Sequence, residues 1–194
     1  MLQRIPRPDE YEDRIAYSAD EISKRIVELG KELSADYPNG VTLLCNQKAS
    51  VVFLADLMRA MTVRVEIEFL QLGSIKQTDD ASPLLFLKQS DEIVLQGKDV
   101  VIITDVVRTG FTMHFLINNL ASKSPSSLEV CTLLHNPEQQ LLPIEIKYAG
   151  YNTDYDSVAG YGISYKKDGR NFPDIVTLIK VDDDGNELEG LEEL

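Results

Sequence analysis

Gly97-Lys-Asp-Val-Val-Ile-Ile-Thr-Asp-Val-Val-Arg-Thr-Gly-Phe-Thr112 is the stretch on which the fold of this chain turns. Val100 to Thr104 is an uninterrupted β-branched run, the pattern of a central parallel strand covered on both faces. Asp105 to Thr112 follows as a polar turn, and Met113 to Leu120 reads as a helix. Strand, glycine-bearing turn and helix in that order make an anion site. In open α/β sheets ligands sit beyond the carboxyl ends of the strands, and the unbonded N–H groups of a helix start attract phosphate. Gly110 lets the backbone approach an anion closely, the Thr109 and Thr112 hydroxyls can donate, and the helix dipole favours negative charge. The same residues also make an ordinary helix cap, so the turn alone does not decide between the two.

Working outward, Ser18-Ala-Asp-Glu21 is a capping box, and Ile22, Ile26, Leu29 and Leu33 behind it recur at helical spacing. That helix ends before Tyr37-Pro-Asn-Gly40. Val41 to Cys45 reads as a short strand, Ser50 to Met61 as a buried helix, and Val65 to Phe69 alternates as a strand with one wet face. Further strands are expected at Leu128 to Leu134, Ile144 to Tyr148 and Ile175 to Lys180. Alternating strands and helices predict an α/β fold with a mostly parallel sheet flanked by helices. Ser74 to Ser90 mixes Lys, Gln, Asp, Ser and Pro without periodicity and is expected to be an exposed, mobile loop, with a short strand at Leu84 to Leu87.

The chain has 194 residues and a net charge of -13. Seven acids lie between Asp182 and Leu194, leaving -6 on the rest. Residues 1–181 are therefore read as one domain and 182–194 as an acidic tail. An acidic body repels nucleic-acid phosphates and anionic membranes, so neither is expected as a partner. The apolar runs are too short to cross a bilayer, and a cytoplasmic location is expected. Cys45 and Cys131 each sit inside an apolar run, which suggests neither a disulfide nor a thiolate cluster. His114 and His135 have no neighbouring ligand at metal spacing.

The segment from Gly97 to Thr112 resembles the ribose-phosphate signature of the phosphoribosyltransferases, and the likeness extends along the chain toward the hypoxanthine-guanine branch. Lys48-Ala-Ser-Val-Val-Phe-Leu-Ala-Asp-Leu57 resembles that branch's first active-site loop and helix. Ser124 to Leu128 with Leu133 and Leu134 matches its next strand, and Val158 to Tyr165 with Arg170-Asn-Phe-Pro173 its C-terminal signature. The resemblance implies a type I phosphoribosyltransferase fold, with a small hood made from the terminal segments, and a homodimer or homotetramer. It also implies a reaction in which a purine displaces pyrophosphate from phosphoribosyl pyrophosphate with Mg2+.

Carried onto this chain, the resemblance assigns Arg108, Thr109, Gly110, Phe111 and Thr112 to the 5′-phosphate and Thr104 and Asp105 to the ribose. Lys48 and Arg170 fall to the pyrophosphate, and Asn136, Ser157 and Val158 to the base pocket. Several family groups are replaced. Thr104 stands for the first of two ribose acids, Arg108 for the catalytic Asp, Asn136 for a purine-contacting Lys, Ser157 for a stacking aromatic, and Ser164 for an Asp linked to the metal. Phe111 takes a place where a polar residue is common, Gln47-Lys-Ala49 replaces Leu-Lys-Gly, and Gly73-Ser-Ile75 replaces Ser-Ser-Tyr. A guanidinium cannot serve as a base at neutral pH. The sequence thus predicts a binder of phosphorylated ribose or purine nucleotide with weak or lost purine transfer. An active purine phosphoribosyltransferase with a rearranged site, and a structural or regulatory subunit, stand as the alternatives.

Overall fold

The computed structural model describes residues 11–46, 48–75, 84–88 and 93–180. In chain order the elements are β1 (Tyr11–Tyr17), α1 (Ala19–Asp36), β2 (Val41–Asn46), α2 (Val51–Ala60), β3 (Val65–Ile75) and β4 (Leu84–Lys88). They continue with β5 (Asp99–Val107), α3 (Phe111–Ala121), β6 (Ser127–His135), β7 (Tyr148–Asn152), β8 (Val158–Ala159) and β9 (Ile175–Lys180). Six strands form one sheet in the order β4-β3-β2-β5-β6-β7. All its neighbours pair in parallel except β3 and β4, which form an antiparallel pair from Gln71↔Lys88 to Ile75↔Leu84. Strands β1, β9 and β8 make a second, antiparallel sheet that joins the two ends of the described chain, as expected of the hood.

Strand β5 lies at the centre because it is apolar on both faces. Val101 and Ile103 face a core shared with α1 and α2, and Val100 and Ile102 face one shared with α3. The period of two in a strand makes that division. Leu43 and Cys45 of β2 join the first core and Leu44 the second, and all three are fully buried. Each such Leu or Ile contributes about 1.5–3 kcal/mol relative to leaving it exposed. Helix α1 starts at the expected capping box: Ser18 N–H donates to Glu21 Oε2 at 2.9 Å, and Glu21 N–H to Ser18 Oγ at 3.4 Å. Its stripe of Ile22, Ile26, Leu29 and Leu33 is buried. Gly30 brings α1 against the end of α2, so close that a Cβ there would lie 2.8 Å from the Ala60 backbone.

The structure moves three expected boundaries. The strand expected at Ile144 to Tyr148 runs instead from Tyr148 to Asn152, with ladder pairing to β6 beginning at Cys131↔Tyr148. Ile144 and Ile146 are still used, packed as an irregular segment on the α3 side of the core. Strand β3 continues past Phe69 to Ile75, and β4 pairs with it, so residues 74–75 and 84–88 of the expected loop are strand. The rest of Ser74 to Ser90, like the acidic tail, lies outside the described residues. No helix among the described residues is long and apolar enough to cross a membrane.

Candidate functional site

Beyond the carboxyl end of β5 the chain turns through Arg108, Thr109 and Gly110 into α3. Gly110 holds φ at 84°, a left-handed backbone that glycine adopts without strain, and places its own carbonyl as the first helical acceptor. His114 N–H donates to it at 2.8 Å. The amides of Phe111, Thr112 and Met113 precede that bond and have no acceptor among the described residues.

The other side of the turn is braced. Thr109 C=O accepts from the amides of Leu141 at 3.1 Å and Leu142 at 3.3 Å. Gln140 Nε2 holds the Leu142 and Ile144 carbonyls at 2.9 and 2.8 Å, and His135 Nε2 lies 2.8 Å from Gln140 Oε1. A Cβ on Gly110 would come within 3.3 Å of Ile144. The carbonyl side of the turn is thus fixed to the 140–144 segment while the amide side stays open.

A cavity of about 290 Å³ lies there, lined by Asn46, Thr104 to Gly110, Thr112 and Met113. Thr104 is buried and Asp105 half-buried. Asp105 Oδ1 accepts from Ser50 Oγ at 3.2 Å and from Thr104 Oγ1 at 3.3 Å. Ser50, fully buried at the start of α2, gives its hydroxyl to this carboxylate instead of capping its own helix. The bond ties the first loop to the end of β5. Burial, with the Asp105 charge as the lesser cause, pushes the Cys45 thiol up to about 11, so it stays protonated at neutral pH. Arg108 Nε is buried with no hydrogen-bond partner among the described residues.

Residues 13–166 match the phosphoribosyl transferase domain family. The chain belongs to the phosphoribosyltransferases. It is 34% identical to the hypoxanthine-guanine phosphoribosyltransferase of Mycobacterium tuberculosis over 84% of this chain and 85% of that one. Among solved structures, a hypoxanthine phosphoribosyltransferase from Staphylococcus aureus superposes with a TM-score of 0.79 at 30% identity, covering 85% of this chain and 90% of that one. The Trypanosoma cruzi hypoxanthine phosphoribosyltransferase, in a variant complexed with the product IMP, gives 0.77 at 30% identity over 89% and 93%. The fold of this phosphoribosyltransferase is therefore the hypoxanthine-guanine type I fold read from its sequence.

Of the residues singled out in the sequence, Thr104, Asp105, Arg108, Thr109, Gly110 and Thr112 come together in one cavity of the phosphoribosyltransferase. Phe111 projects at 54% exposure and is not part of the lining. Asn136 is buried at the end of the neighbouring β6, its amide bonded to Val107 C=O at 2.8 Å and its Oδ1 accepting from Gln139 N–H at 3.2 Å. Lys48 is exposed in the first loop. Val158 is buried in the hood sheet, and the Ser157 carbonyl accepts from Thr177 Oγ1 at 3.1 Å. Ser164 is half-buried beside the 160–163 turn, whose Gly162 packs so tightly on the first loop that a Cβ would lie 2.3 Å from Ala49 O.

Arg170 does not reach the β5 cavity lining. Its Nη1 donates to Gly162 C=O at 2.6 Å, and it lines a separate cavity of about 580 Å³ between α1, α2 and the 161–173 segment. Asn46 and Ser50 were not legible as site residues. The only signal was positional: Asn46 ends a strand parallel to β5, and Ser50 opens the following helix. The residues present do not fit a protein-held magnesium ion. The one cavity carboxylate shares an oxygen with two hydroxyls, Ser164 is a weak donor, and no group of three His, Cys, Asp or Glu among the described residues converges on a point.

Proposed function

We propose that this phosphoribosyltransferase homologue binds a phosphorylated ribose or purine nucleotide and carries out purine transfer weakly or not at all. One observation supports the reading above the others: the cavity beyond β5 combines an open phosphate turn with the cation Arg108, where purine transfer calls for a carboxylate. The open amides suit a 5′-phosphate. A cation opposes the positive charge that develops at the anomeric carbon, and it offers no base for a purine proton. With Thr104 in place of an acid and no fit for resident magnesium, the reading assigns the metal no role.

A second reading, an active purine phosphoribosyltransferase with a rearranged site, is favoured by Asp105, whose carboxylate stays in the cavity. We place the protein in the cytoplasm as a homodimer or homotetramer, with residues 1–181 as its folding unit. Calorimetric titration with ribose 5-phosphate, phosphoribosyl pyrophosphate and IMP, beside turnover assays with hypoxanthine and guanine, tests both readings. Binding with transfer about 10⁴-fold below an ordinary transferase is expected, since base and electrostatic effects each contribute about 10² or more. Transfer at ordinary rates establishes the second reading instead, and failure to bind any phosphorylated ribose overturns both.

A further inference from the structure

The lining of the β5 cavity contains one carboxylate and one guanidinium, Asp105 and Arg108, and they do not pair. Asp105 Oδ1 is held by the hydroxyls of Ser50 and Thr104, on the side of the first loop. Arg108 makes no hydrogen bond or ion pair with any described residue, and its Nε is sealed from solvent without an acceptor. A buried donor without an acceptor is costly, and more so when it is charged. The surrounding chain has 32 acids against 19 basic residues, so a cation without a partner is not explained by a shortage of carboxylates.

From this we infer that Arg108 forms a second anion subsite beside the phosphate turn, selecting a phosphorylated sugar or nucleotide that carries a further phosphate or carboxylate. The inference rests on the phosphate-binding reading and adds the ligand's second charge. A planar guanidinium is suited to it, because its fork of donors matches two oxygens of a carboxylate or phosphate at once. The turn amides and Arg108 are then two receptors in one cavity, one made of backbone and one of side chain.

The test compares ligands that differ by one anionic group, with affinities measured by calorimetry: ribose 5-phosphate against ribose 1,5-bisphosphate, and uridine 5′-monophosphate against orotidine 5′-monophosphate. In the wild type the acid-bearing member of at least one pair binds about tenfold or more tightly than its partner, the scale of a charge-assisted bond. Arg108→Gln collapses that ratio to near one, and Arg108→Lys leaves an intermediate value. A preference in the sugar pair alone identifies a second phosphate, and one in the nucleotide pair alone a carboxylate. Equal affinities within both wild-type pairs overturn the inference while leaving the phosphate site standing, and this result needs no variant to fold. A ratio that survives Arg108→Gln in a variant with an unchanged thermal melt overturns it as well. Failure of all four ligands, and of IMP titrated beside them, to bind removes the phosphate-binding reading and the inference together.

Discussion

Arg108 brings a guanidinium charge into the cavity beyond β5, at a position where the proposed purine transfer calls for a carboxylate. If that charge limits transfer, Arg108→Asp should raise hypoxanthine or guanine transfer by about 10²-fold, the scale of one restored electrostatic or acid-base effect. Adding Thr104→Glu should raise it further, although Thr104 is 2% exposed and a carboxylate there also lowers stability. Single-turnover assays with a thermal melt on the same samples separate the two effects. No gain in a folded Arg108→Asp variant would show that Arg108 does not limit transfer and would turn the test to Asn136 and Ser157, the positions that the family resemblance assigns to the base. Thr109, Gly110 and Thr112 could be read from the sequence because a turn after a doubly apolar strand has a fixed geometry. Ser50 could not, since its role depends on a carboxylate 55 residues away that only the parallel pairing of β2 with β5 brings near.

At the level of elements, the contact of α1 with α2 depends on the missing side chain of Gly30. An alanine at a helix interior gains about 1 kcal/mol over glycine, but here its Cβ meets the Ala60 backbone at 2.8 Å. Gly30→Ala should therefore fail to stabilise the protein, and Gly30→Val should lower it by about 2 kcal/mol or more in urea unfolding. A stabilised Gly30→Ala variant would mean that the helices can separate freely. Strand β5 was legible because burial on both faces makes Val100 to Ile103 continuously apolar. Strand β7 was not placed correctly, because Ile144 and Ile146 mimic a strand while packing as an irregular segment, and ladder geometry begins two residues after Ile146. Strand β1, Tyr-Glu-Asp-Arg-Ile-Ala-Tyr, has no alternation to reveal it; its pairing with β9 is set by the far end of the chain.

For the molecule as a whole, acid should weaken the fold through carboxylates held by neighbours. The Tyr148 hydroxyl at 2.6 Å, with Lys147 at 3.0 Å, keeps the Asp36 carboxyl below its usual range. Lys98 does the same for Glu66. A depressed folded-state pKa stabilises above the ordinary carboxylate value, about 4, and that stabilisation disappears as pH falls through the lower folded value. The melting temperature should hold from pH 7 to about 5 and decline below about 4, with Asp36→Asn less stable than wild type at pH 7 and the gap narrowing as pH falls below about 4. A gap that does not narrow below about pH 4 would assign Asp36 a purely structural part. The braced turn at the start of α3 has a different implication, one for inheritance. Its bracing bonds come from backbone groups and from Gln140, whereas the side chains of Arg108, Thr109, Phe111 and Thr112 make no hydrogen bond to it, Thr109 and Phe111 being exposed and Arg108 and Thr112 half-buried. A lineage can therefore exchange what the cradle recognises without renegotiating whether the chain folds, and a library randomised at those four codons should consist mostly of folded proteins with different ligands.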